Sequence, residues 1–156
     1  MEICPIPKNK NDLPTAELLL NYDGPVSIKE YKQIVVWLKN ECWPVFPRVV
    51  SFLVKRGVDA QDAIEYVLKS KNGLWKKNVV KHILTTWSKK DLQAFARLLP
   101  NLATDADLFG PDLVVAELLL EHNLVDAKWL KQWLEHKRKT LSEKLQEVDE
   151  LLCKFE

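Results

Sequence analysis

Apolar residues recur along this chain at helical spacing, in blocks separated by residues that cap helices or break them. Residues 1–12 are polar and carry prolines, which predicts an extended lead-in. Asp12 then stands ahead of Pro14 and AELLL at 16–20, the pattern of a short capped helix. After Gly24-Pro25, Ser27 and Glu30 have the S-x-x-E spacing of a capping box. Ile28, Tyr31, Ile34, Val35 and Leu38 fall on one face of a helix predicted over 28–40. In WPVFP at 43–47, Pro44 pushes Trp43 toward an extended backbone. Pro47 lacks only an N–H that a first helical turn leaves unpaired. The next helix is therefore predicted to start at 44–46 and to stop at Gly57, burying Val49, Val50, Leu53 and Val54. WPVFP reads as the turn between two antiparallel helices, with its aromatics packed beneath it.

The same reading continues to the end of the chain. Asp59 is expected to cap a helix over 60–70, Asn72-Gly73 to turn the chain, and a partner helix to cover 74–87. Ser88 and Asp91 start a helix over 89–99 that Pro100 stops. After a loop come a helix over 111–122, a turn at Asn123, and a long helix over 127–154 capped by Asp126. A weak thirty-residue period relates Ile34, Leu38, Val49, Val50, Leu53 and Val54 to Ile64, Leu68, Val79, Val80, Ile83 and Leu84. Its first two positions recur as Ala94 and Leu98. The expected fold is all-α: a single domain over 1–156, built as a short stack of antiparallel helical hairpins, a HEAT-like αα solenoid, with a long C-terminal helix. An irregular helical bundle is the rival. With 47% hydrophobic residues and only four glycines in 156, composition favours helices over a protein of many tight hairpins.

A net charge of +1 gives no global attraction to nucleic acid or membrane, but the charges are segregated. Residues 66–90 hold seven lysines and no acid, whereas residues 98–127 hold six acids and no Lys or Arg. No apolar window reaches the length of a membrane helix, and MEICPIPKNKND lacks the apolar core of a signal peptide. Cys4, Cys42 and Cys153 stand far apart in an odd number, which suits a reducing compartment, so a cytoplasmic protein is expected. Cys42, beside Trp43, reads as a buried small hydrophobe.

PKNKNDL at 7–13, Trp37-Leu38 followed by WPV at 43–45, LWK at 74–76 and EVDELL at 147–152 together resemble a small bacterial family, domain of unknown function 5071. The resemblance implies a helical, HEAT-repeat-like fold. It implies no activity, cofactor or catalytic residue. Small helical proteins of this kind also resemble immunity proteins, which inhibit toxins by binding them.

No pattern in the chain names a reaction. His82, His122 and His136 lack the converging ligands of a zinc site, and no metal or cofactor is expected. No catalytic residue is assigned: there is no G-x-S-x-G, and clustered carboxylates are usually solvated. The expected function is non-catalytic protein binding, with an immunity-like inhibitor of a basic toxin as its most concrete form. Its contacts are Asp105, Asp107, Asp112, Glu117 and Glu121, with Trp129 and Trp133, one helical turn apart, as anchors. The alternative is a nucleic-acid-binding repeat protein that uses Lys69, Lys71, Lys77 and Lys81, with Trp75 or Trp87 stacking on a base. In the last helix, Leu134, Leu141, Leu145, Val148, Leu152 and Phe155 form a near-heptad stripe. That stripe is expected to fold back as a cap on the stack, with a weak dimer through the same helix as the other outcome.

Overall fold

The computed structural model describes residues 3–104 and 110–156, and among these the regular structure is all helical, without a strand. In order come α1 (Leu13–Leu20), α2 (Ile28–Val35), α3 (Phe46–Arg56), α4 (Gln61–Leu68), α5 (Gly73–His82), α6 (Lys89–Leu92), α7 (Leu98–Ala103), α8 (Asp112–Glu121) and the long α9 (Ala127–Leu152). Short 3-10 turns extend or link several of them, including one at Val36–Leu38.

Helix starts follow local chemistry. Asp12 accepts a hydrogen bond from the Thr15 N–H, Ser27 and Glu30 close their capping box, Ser88 accepts from the Asp91 N–H, and Asp126 from the Lys128 N–H. Positive φ values at Gly57 (57°) and Asn123 (51°) mark two of the predicted stops.

Several predicted boundaries change: α2 ends at Val35 and α5 at His82, short of the predicted 40 and 87, each followed by a 3-10 turn. Asn72 does not turn the chain; its side chain caps α5 by accepting from the Trp75 N–H at 3.0 Å, and Gly73 is the first helical residue. Asp59 makes no cap hydrogen bond, because α4 starts after Ala60 and the Asp59 carboxylate instead accepts from the Tyr31 hydroxyl. Pro100 starts rather than stops: it sits in the first turn of α7, where a missing N–H costs nothing. The helix predicted over 89–99 accordingly divides into α6, a 3-10 turn and α7.

α1 packs on α3, α2 on α4, and α5 bridges α4 and α8, while α7 lies against α8. Ile34, Leu38, Val49, Leu53 and their thirty-residue counterparts Ile64, Leu68, Val79 and Ile83 are all buried. The period fades outside that set. Val54 is exposed where Leu84 is buried, and the third copy's Ala94 is exposed.

Side chains of α5 also close the open end of α2. Trp75 Nε1 donates to the Val35 carbonyl at 2.8 Å, and Asn78 Nδ2 donates to the Leu38 carbonyl at 2.8 Å. One turn further, Lys81 and His82 meet Glu41 at 3.3 and 2.8 Å. The three-residue steps on both sides of this ladder match one helical turn, so α5 supplies donors to carbonyls at the end of α2 and of the 3-10 turn that extends it. The His82 hydrogen bond, with help from Lys81, holds the Glu41 carboxyl below the usual range against a smaller desolvation effect.

The connection between α1 and α2 is pinned by Arg56. Its Nη2 donates to the carbonyls of Tyr22 (2.9 Å) and Gly24 (2.8 Å), and its guanidinium lies over the Phe52 ring at 5.0 Å. A side chain at Gly24 would meet the Tyr22 hydroxyl at 2.3 Å, so the close fold-over of Tyr22 requires glycine there.

Cys42 is exposed, contrary to expectation, because its position in the 40–45 turn faces outward while Val45 and Phe46 fill the space below. Cys4 is the buried thiol, pushed up to about 11 chiefly by loss of solvent and then by the Glu30 carboxylate. Brief alkylation of the native protein near neutral pH, read by peptide mass, is therefore expected to label Cys42 and Cys153 and to spare Cys4 until denaturant is added. Labelling of Cys4 at the same rate as the others would show that the N-terminal segment is not held as described.

Candidate protein-docking groove

α8 has two faces. Val115, Leu118 and Leu119 turn inward, whereas Leu113, Glu117, Leu120 and Glu121 turn outward, at the i, i+4, i+7, i+8 spacing of a single helical stripe. Two leucines exposed by 55–57% on that stripe are half of an apolar surface. α9 supplies the other half.

The first third of α9 is fastened to the body. Leu130 is buried, Trp133 Nε1 donates to the Ala103 carbonyl at 3.0 Å, and Lys137 pairs with Asp112. Beyond Lys137 every residue of the chain is exposed. The Leu134–Phe155 stripe therefore does not fold back as a cap. The helix continues unbroken past Lys137 and leaves Leu141, Leu145, Val148 and Leu152 exposed. Between α8 and α9 runs an apolar groove in two adjoining parts, of 540 and 290 Å³. The first lies over Leu120, Leu130 and Leu134, the second over Leu113, Leu141 and Leu145; Leu134 and Arg138 belong to both. Lys131, Glu135 and Arg138 give it a charged rim.

The residues singled out in the sequence are distributed unevenly about this groove. Glu117 and Glu121 are exposed on the stripe that carries Leu113 and Leu120. Asp112 is buried in its ion pair with Lys137 and is not available to a partner. Asp105 and Asp107 lie outside the described residues. Trp129 is 38% exposed, whereas Trp133 is half-buried and tied to Ala103. Leu113, Leu120 and Leu151 went unselected in the sequence, although the seven-residue spacing of Leu113 and Leu120, off the buried stripe of α8, carried the signal.

The lysine set is less basic in space than in sequence. Lys69 pairs with Glu65 at 3.3 Å and Lys81 with Glu41, both acids from outside the acid-free stretch; Lys71 is exposed and Lys77 half-buried. Trp75 and Trp87 are buried, so neither offers a face to a base. Among the described residues no group of three or more His, Cys, Asp or Glu side chains is placed to hold a metal ion, and no helix is long and apolar enough to cross a membrane.

The chain matches the family described as Domain of unknown function (DUF5071) over residues 5–108. It belongs to that family. The DUF5071 segment contains α1 to α7, and the groove is built by the two helices that follow it. No curated protein and no solved structure matches the chain significantly.

Proposed function

We propose that this DUF5071 protein is a non-catalytic protein-binding module that docks its partner along the α8–α9 face. The observation that carries the reading is the exposed apolar groove continuing into the bare leucine stripe of α9. Contiguous apolar surface of this kind, rimmed by charge, marks an interaction site rather than ordinary surface. Helical partners suit it, since a groove between two helices accepts a third through i, i+3, i+4 and i+7 anchors.

An immunity-like inhibitor of a basic toxin is the narrower form of the proposal. Of its acidic contacts, Glu117 and Glu121 adjoin the groove and supply the selectivity. The nucleic-acid reading keeps Lys71 and Lys77 but has lost its stacking residues to the core and two of its lysines to ion pairs.

Affinity capture with the tagged chain, with and without nuclease, tests the reading. A stoichiometric protein is expected to survive nuclease and to be lost with Leu120→Asp or Leu145→Asp, each at an exposed position where folding tolerates the change. Nucleic acid recovered alone, and released by moderate salt, would transfer the function to the lysines.

A further inference from the structure

We propose that the groove is occupied by the C-terminal helix of a second copy of this chain, in an antiparallel, reciprocal dimer. This inference rests on the protein-docking reading above and names its partner.

The occupant is written into α9 itself. Val148, Leu151 and Leu152 stand at i, i+3 and i+4 on α9, Phe155 follows at i+7 in the 3-10 turn Cys153–Phe155, and the four are exposed by 49, 57, 58 and 88%. That is the anchor pattern by which an amphipathic helix fills a groove between two others. On the same chain, the groove presents exposed Leu113, Leu120 and Leu141 and half-buried Leu134, with the anchors' chemistry. The chain's own tail cannot reach its own groove, because α9 runs unbroken through Leu152. A second copy can. From Ala127 to Leu145 the groove spans about 27 Å of helix, enough for the two turns that hold the anchors.

Charge selects the orientation. Residues 128–139 carry Lys128, Lys131, Lys137, Arg138 and Lys139 against the single acid Glu135. Residues 143–156 carry Glu143, Glu147, Asp149, Glu150 and Glu156 against two lysines. Antiparallel helices set the basic half of each against the acidic half of the other, whereas parallel helices set like halves together. Glu147 and Asp149, which flank Val148 on the anchor helix, then face the Lys131 and Arg138 rim of the partner's groove. The arrangement repeats about a twofold axis, so both grooves are filled and the assembly closes at two copies.

Sedimentation of the full chain over a concentration series, at low and high salt, tests this. The wild type is expected to be a dimer that salt weakens. Lys131→Glu/Arg138→Glu and Glu147→Lys/Asp149→Lys, all at exposed sites, should each weaken it at least about tenfold with helix content unchanged by circular dichroism. An equimolar mixture of the two variants should dimerise again, since one groove then meets its tail with both signs exchanged while the other keeps the wild-type pairing. A dimer that tightens with salt or with Lys131→Glu/Arg138→Glu would overturn the antiparallel arrangement. A monomer at every concentration would overturn the second copy as occupant. If that monomer still captured a different protein and lost it with Leu145→Asp, the docking reading would stand while this inference fell. If it captured none, both would fall.

Discussion

Replacing Phe52 by alanine is expected to remove about 3–5 kcal/mol of stability, the range for truncating a buried aromatic. Phe52 is fully buried on α3 and packs both against α2 and beneath a side chain of its own helix. Its ring meets Tyr31 of α2 at 6.4 Å and carries the Arg56 guanidinium on its face at 5.0 Å. Alanine leaves a cavity beneath α2 and takes away the surface on which Arg56 rests, so a packing loss and a positioning loss fall together. Urea unfolding followed by far-UV circular dichroism measures the change, at one fixed chain concentration because association adds to apparent stability. Phe52→Leu, which keeps most of the volume, should cost clearly less. A Phe52→Ala loss under about 1 kcal/mol would mean that the site collapses to fill the space and that α2 is not held from below.

Arg56→Ala is the second large effect, expected at about 2–4 kcal/mol from the loss of charge-assisted hydrogen bonds and stem packing. The side chain is 15% exposed and donates to two carbonyls, those of Tyr22 and Gly24. Alanine leaves both carbonyls without that donor at a partly buried site. Arg56→Lys should recover little, because a point ammonium on a flexible stem does not reproduce a planar fork lying on an aromatic ring. The same variant should speed alkylation of Cys4, whose burial depends on the N-terminal segment staying down. Full stability with Arg56→Lys would assign the role to charge alone and remove the fork from the account.

Much of the fold was legible because helix starts are local events. Ser27 with Glu30, Ser88, Asp12 and Asp126 each bond an N–H within three residues, so spacing alone reveals them. Asp59 was misread because the same short acidic side chain suits a cap and a long-range hydrogen bond equally well, and its true partner, Tyr31, is 28 residues away. Pro100 was misread for a related reason: a proline that ends one helix and a proline that opens the next look alike in sequence. The candidate site was half legible. The leucine stripe of α9 showed as a near-heptad, but Leu113 and Leu120 stood out only once the opposite side of α8 had been buried.

What the sequence determined by itself is the all-helical class, most helix starts, the long last helix and the apolar face of each block, since all of these depend on neighbours within a few turns. Tertiary structure alone decided which charges are spent and which apolar residues are left bare. Asp112 is tied to Lys137, Lys81 to Glu41 and Lys69 to Glu65, so the segregated charge of the sequence is partly neutralised in space. Leu145 and Leu38 are the same residue type in helical stripes, yet one is 62% exposed and the other fully buried. The difference is physical: periodicity fixes which side of a helix is apolar, but only the arrival of another element removes that side from water.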